Sequence, residues 1–244
     1  MHRVISLTVA ESKRLIAKGI VRWDVVRRAL EQGIVAVGSG TTNGYIIEEL
    51  TGEPFDKKSL VTGHTRPANY AGPKISYSAA DLVLRKGERV DVSARDILEE
   101  MGPGDVFMKG ANALNYERRQ AGVLIGHPTG GNVGAAIGTC MARRLRFVHP
   151  VGLEKSVGTD LVEAAAMINR DAAGKGPILW VVPGDIFTEI EALDVLTGVR
   201  AVPVGAGGIG GAEGAVWLAL FGSATQLTAA EELLASIQNE PSFV

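Results

Sequence analysis

The chain has 244 residues and a formal net charge of −2, with 31 glycines and few aromatic residues. That length suits one α/β domain or two small ones with a sizeable core, and the near-neutral charge gives no footing for non-specific nucleic-acid binding. Cys140 is the only cysteine, so no internal disulfide can form, which fits a reducing compartment.

From Ala10 to Gly33 two short helical patterns are expected. Leu15 and Ile16 mark one apolar face; Trp23, Val26 and Leu30 mark another, with Gly33 as C-cap. Ile34–Val37 reads as a buried strand that breaks into Gly38-Ser-Gly-Thr-Thr42 and opens a helix near Tyr45. Residues 56–92 read as an irregular insertion, too long for a passive connection, with two strands around Lys86-Gly87 near its end. Ser93 predicts a helix start with Asp96 in the first turn and Ile97, Leu98 and Met101 on its apolar face. Val106–Met108 and Val123–Ile125 are further strands. They lead into Lys109-Gly-Ala-Asn-Ala113 and Gly126-His-Pro-Thr-Gly-Gly131, with Asn132 capping a small-residue helix over Val133–Ala142. An extended run from Phe147 to Leu153, helices over 160–169 and 187–196, and strands over 178–182 and 201–204 follow. A last helix, over 228–238, has Thr228 and Glu231 as a capping box. The alternation argues an α/β fold, a mostly parallel Rossmann-like sheet flanked by helices, in one domain spanning 1–244. The helices of about 10–33 and the insertion of about 56–92 read as embellishments.

Strands ending in Gly- or Asn-rich turns share one edge of a parallel sheet, and ligands bind in the crevice there. The lining expected is Gly38, Ser39, Gly40, Thr41, Thr42, Lys109, Asn112, Asn115, His127, Thr129, Gly130, Asn132 and Asp185. Free N–H groups, the helix dipole and the threonine hydroxyls of the first turn suit phosphate or carboxylate; alternatively this is a tight βα turn with threonine caps. Lys109 directly follows a buried strand and is placed to meet an anion, a carboxylate or solvent. Asn112 suits a ligand or its own backbone. Lys109, Glu117 and His127 are the catalytic candidates, although Glu117 beside Arg118 and Arg119 equally suits a solvated face and His127 a structural role. Glu154 and Lys155 end an extended segment as a buried pair, a ligand contact or a surface pair.

No metal-ligand spacing exists among His64, His127 and His149, and nothing in the sequence requires a cofactor. Gly205, Gly207 and Gly210 fit a dinucleotide register, but no following βαβ unit with an acidic residue can be placed after them. Cys140, among small apolar neighbours, reads as a buried, inert thiol. With no secretory signal pattern and no run of about 20 apolar residues, the chain reads as cytoplasmic, with no membrane partner.

Val37-Gly-Ser-Gly-Thr-Thr42 resembles the first phosphate-binding turn of the superfamily of ribose-5-phosphate isomerase, glucosamine-6-phosphate deaminase and the CoA transferases. Within it the chain is most similar to the LUD (lactate-utilisation) domain, through Gly38–Thr42, Gly110–Ala113, Thr129-Gly130 and Gly152-Leu-Glu-Lys155 in that order. Lys109 and Asn112 stand where the isomerases carry paired aspartates, and neither Glu117 nor Glu154 sits in the pattern of a CoA-transferase nucleophile. The resemblance implies a pocket for a small anionic metabolite at the strand edge, with the reaction open. A sugar-phosphate isomerase or CoA-ester enzyme is one alternative, and a ligand-sensing effector domain without a DNA-binding part is another. It also implies a homo-oligomer, for which the Gly/Ala-rich helix over Val133–Ala142 suggests a dimer.

Overall fold

The structure, a computed structural model, describes residues 1–61 and 81–242. In chain order the elements are β1 (His2–Leu7), α1 (Val9–Arg22), α2 (Asp24–Gln32), β2 (Ile34–Val37) and α3 (Thr41–Thr51). After a 3₁₀ turn at Lys57–Leu60 come β3 (Leu82–Arg85), β4 (Glu88–Val90), a 3₁₀ turn at Asp96–Glu99, β5 (Val106–Met108), β6 (Ala113–Asn115) and β7 (Gln120–Ile125). Then follow α4 (Gly131–Ala142), β8 (Arg146–Pro150), a 3₁₀ turn at Leu153–Lys155, α5 (Leu161–Arg170), β9 (Ile178–Val182) and β10 (Asp185–Phe187). The chain continues through α6 (Glu189–Thr197), β11 (Arg200–Ala206), β12 (Val216–Phe221) and α7 (Ala224–Ile237).

The central sheet has the order β10-β8-β5-β2-β3-β4. Its first four strands are parallel, and β3 and β4 add an antiparallel hairpin. β2 and β5 are buried at every residue, as strands covered on both faces must be. Alternate residues serve opposite layers. Val35, Val37, Val106, Met108 and Val148 join a core with Leu15, Ile16 and Ile20 of α1; Ile34, Ala36, Phe107 and Phe147 join another with Ile97, Met101, Ala136 and Cys140. Cys140 is buried and its thiol is pushed up to about 11 by desolvation, matching the inert thiol expected.

The fold is α/β with a mixed sheet, and parallel pairing is confined to β10, β8, β5 and β2. The strand at Val123–Ile125, expected in the parallel sheet, belongs to β7, which pairs antiparallel with β6 and β9 in a separate sheet. The strand at 201–204 belongs to β11, in a third, antiparallel sheet of order β1-β12-β11. A short apolar run fixes burial but not the direction of its partner. The Gly205–Gly211 segment leads from β11 back to β12 as an antiparallel connection, not into a helix, which removes the dinucleotide register.

Several boundaries shift. Over 93–101 the helical part is only the 3₁₀ turn at Asp96–Glu99, because Gly102-Pro103-Gly104 leaves too little chain for a full helix. Asn132 is not the cap of α4; Gly130, with φ 81°, is. Thr228 lies inside α7, whose capping box is Ser223 with Gln226; both tripeptide spacings occur in the sequence, and the earlier one wins. The N-terminal helices are core. Leu15, Ile16, Ala17 and Ile20 of α1 are fully buried, and a Cβ on Gly19 would lie 2.6 Å from Ala192 Cα, so glycine is what lets α1 lie against α6. Of the insertion at 56–92, Leu82–Val90 forms two strands of the central sheet; residues 62–80, including His64, lie outside the described residues.

Candidate functional site

The C-terminal ends of the parallel strands form one edge. The N–H of Gly38, just past β2, donates to Met108 O at 3.1 Å; the N–H of Lys109, just past β5, donates to Val148 O at 2.9 Å; and that of Val151, just past β8, donates to Phe187 O at 3.0 Å. Four turns far apart in sequence meet here. Lys109 Nζ donates to Ser39 O at 2.8 Å. Asn132, in the first turn of α4, donates from Nδ2 to Ser39 Oγ at 3.1 Å. Lys155 Nζ donates to Ala111 O at 2.9 Å. The N-termini of α3 and α4, each with its positive dipole end, are thus linked through Ser39. Asn43 holds the first turn in shape by donating to Gly38 O at 2.7 Å, and Gly40, at φ 155°, supplies the backbone angle that starts α3.

Charge is crowded beneath this edge. Lys109 is half-buried, and its pKa is pulled down to about 8, first by desolvation and then by the Lys155 cation, against the pull of Asp81. Lys155 is pulled down too, chiefly by burial. Deeper in, Lys13 of α1 pairs with Glu154 at 3.0 Å, with side-chain exposures of 6% and 10%. Glu189, fully buried at the start of α6, accepts the Leu153 N–H on both oxygens, at 3.2 and 3.0 Å. Burial, reinforced by the Glu154 charge, pushes Glu189 up to about 7. One polar atom of this cluster, Glu154 Oε2, is buried without a hydrogen-bond partner among the described residues, while the Ser12 hydroxyl helps hold the Glu189 carboxylate. Glycine at 152 makes room for the cluster, since a Cβ there would fall 1.8 Å from Glu154 Oε2. His149 is buried below Lys109, its ring nitrogens 2.8 Å from Lys109 O and 2.9 Å from Pro183 O, and desolvation pulls its pKa down.

Gly38, Ser39, Gly40, Thr41, Thr42, Lys109, Gly130 and Asn132 therefore gather at one place, with Ser39 and Thr42 buried. Thr129 is exposed one residue before the α4 cap, and His127 Nδ1 accepts its N–H at 3.2 Å. His127 is itself exposed within that turn. Asn112 is exposed and its Oδ1 accepts the Leu124 N–H at 3.1 Å, so it extends the β6–β7 ladder. Asn115 is buried and spends its amide on Thr159 O and the Arg118 N–H. Glu117 is exposed in the turn between β6 and β7. Asp185 opens β10 level in register with Val148, Met108 and Val37, but it lies two strands from β5 and its carboxylate is committed to Arg146 at 3.0 Å.

Sequence reasoning missed Ser12, Lys13 and Glu189. A signal for Lys13 was present. Lys13, Ile16, Ala17 and Ile20 follow the spacing of one helix face, so a lysine on the apolar stripe marked a buried charge needing a partner. Thr188 with Glu191 is a capping box that places Glu189 at the first position of a helix directly after a strand end.

A wider concavity, of about 520 Å³, lies elsewhere, between α5 and β9, with Val162, Ala165 and Trp180 in its wall. It is open and apolar, and its charged residue, Arg119, is already committed to Glu191 at 2.9 Å, so it lacks groups for chemistry. The cleft at the strand edge, between Gly38, Asp81, Arg95 and Asn132, is small at about 10 Å³, room for about one water. Among the described residues no cluster of three or more His, Cys, Asp or Glu could hold a metal, and no helix is long and apolar enough to cross a membrane. Comparison with protein-family models, with curated proteins and with solved structures finds no match.

Proposed function

We propose that this chain binds a small anionic metabolite at the C-terminal edge of β2 and β5, as a Rossmann-like, LUD-like relative of the sugar-phosphate isomerases and CoA transferases. The observation that carries the reading is the meeting of four turns, Gly38–Thr42, Lys109–Ala113, Thr129–Asn132 and Gly152–Lys155. The bonds Lys109–Ser39, Asn132–Ser39 and Lys155–Ala111 join them. The turns bring two lysines and two helix N-termini to one edge of the sheet, and each of these favours negative charge. Entry of a ligand larger than water requires the exposed Arg95 and Asn132 side chains to swing out of the cleft.

Calorimetric titration with a phosphorylated sugar, a CoA ester and a small carboxylate tests the reading. At least one should bind at millimolar concentration or tighter. Lys109→Ala should weaken that binding by about 1–3 kcal/mol, the worth of a hydrogen bond to a charged group. Changing Thr41 and Thr42 to Ala should weaken it less, because the backbone donors remain. If no anion raises the melting temperature, the edge is only a set of capped βα turns.

A further inference from the structure

Lys109 combines three features that a lysine acting only as an anion clamp does not need. It sits on a dry floor: Met108 and Val148 are fully buried and Phe107 nearly so. A second cation, Lys155, stands near enough to disfavour its proton. Among the described residues its Nζ donates to a peptide carbonyl, Ser39 O, and to no carboxylate. Asp81 acts on it from a distance and is itself engaged by the Ala94 N–H at 3.3 Å. A primary amine that is desolvated, set beside another cation and free of a bonded counter-ion is the arrangement that makes lysine a nucleophile.

We propose that Lys109 condenses with the carbonyl of a small 2-oxo carboxylate whose acid group sits on the Gly38–Thr42 turn. This rests on the anion site proposed above and names its ligand class. The geometry selects that class. Nζ is hydrogen-bonded to Ser39, a residue of the very turn that offers its N–H groups to the anion, so the electrophilic carbon must lie next to the anionic group. A 2-oxo acid meets this condition; a sugar phosphate carries its carbonyl several bonds from the phosphate. In the step, the Lys109 ammonium first releases a proton to solvent, the freed Nζ lone pair forms a C–N bond, the carbonyl π pair moves to oxygen, and a proton passes from nitrogen to that oxygen. The hydroxyl then takes one further proton from solvent and leaves as water. The resulting iminium keeps the positive charge of the original ammonium, facing Asp81 and the ligand carboxylate. No oxidant or reductant is consumed.

The test incubates the full chain with pyruvate and sodium cyanoborohydride, followed by intact-mass measurement and peptide mapping. One reduced pyruvyl group per chain, saturable and mapped to Lys109, is expected, and it should be absent in Lys109→Arg. Lys155 is a positioning residue. Lys155→Met should slow labelling several-fold near pH 7 and move the rate profile to higher pH, because Lys109 then holds its proton longer. Labelling spread over surface lysines, or unchanged in Lys109→Arg, overturns the proposal. Melting temperatures with phosphate and oxalate separate the two readings. If these anions stabilise the protein and no adduct forms, the condensation is wrong and the anion site stands; if neither effect is seen, both fall.

Discussion

Lys13 and Arg14 are neighbours on α1, and they end in opposite kinds of ionic site. Arg14 reaches Glu48, Glu49 and Glu240 with its guanidinium fork and lies 4.9 Å over the Tyr45 ring. Lys57 and Lys18 help neutralise the same carboxylates. Burial opposes the charge on Arg14, but its bonds to Glu240 and Glu48 outweigh that and hold the pKa above its ordinary value. The Lys13 cluster is left incomplete: among the described residues Glu154 Oε2 has no partner, Glu189 is driven toward neutrality, and Lys155 and Lys109 are driven the same way. One network uses its hydrogen-bonding capacity to join α1, α3 and the C-terminal segment. The other keeps capacity in reserve, directly beneath the strand edge where the ligand is proposed. An ionic network whose charged groups are all paired reads as structure; one that leaves a buried carboxylate oxygen unpaired reads as a site.

The contrast can be broken most directly at Arg14. Arg14→Met should cost about 3–5 kcal/mol, the usual loss on removing one partner of a buried ion network, measured as a shift in urea midpoint. Arg14→Lys should recover little, because a single ammonium cannot serve three carboxylates in fork geometry. Full recovery by lysine would show that charge alone matters there. Next in size, Lys13→Met should cost about 2–4 kcal/mol, and the double change Lys13→Met with Glu154→Leu should regain most of it, since an apolar pair replaces an incomplete ionic one. A double variant as unstable as the single one would mean that Glu154 has a structural partner beyond Lys13.

A smaller effect is expected at Glu189. Its folded pKa of about 7 lies above the unfolded value near 4.5, so the folded state binds the extra proton. That contribution is fully present below about pH 4.5 and is lost as pH rises through 7. Glu189→Gln should therefore be near neutral at pH 5 and stabilising by about 1–2 kcal/mol at pH 8, with a flatter melting-temperature profile between them. The smallest change sharpens the comparison from the saturated side. Tyr45 is fully buried, burial first and then the Glu240 charge push its pKa up to about 12, and its hydroxyl has no partner among the described residues. Tyr45→Phe should move stability by less than about 0.5 kcal/mol or raise it, because no hydrogen bond is lost.

What the sequence disclosed follows the range over which each signal acts. The turn at Gly38–Thr42, the strands at Ile34–Val37 and Val106–Met108 and the hairpin around Lys86-Gly87 were legible because each is written in adjacent residues. The joining of Gly38–Thr42 to Lys109 followed from parallel pairing, which short connections and buried strands make predictable. The antiparallel partners of β7 and β11 were not legible, because strand direction depends on distant chain. β1 and β12 escaped notice for the same reason: His2–Leu7 mixes polar and apolar residues and becomes a strand only against Val216–Phe221. Glu189 reads as an ordinary acidic residue in the first turn of a helix until α1 and the Leu153 turn close over it.

The pairing of β1 with β12 sets an order of events. On the ribosome His2–Leu7 emerges long before Val216–Phe221, its ladder partner among the described residues. Glu11 and Arg14 of α1 likewise wait for Asn239 and Glu240 to bond them. The helix that carries Lys13 into the ionic cluster thus gains its outer contacts only after Asn239 and Glu240 have been made. Contacts of such wide sequence separation form slowly, so a chain that stopped short of Val216 would leave β1 without this ladder partner and α1 unanchored, a natural client for chaperones.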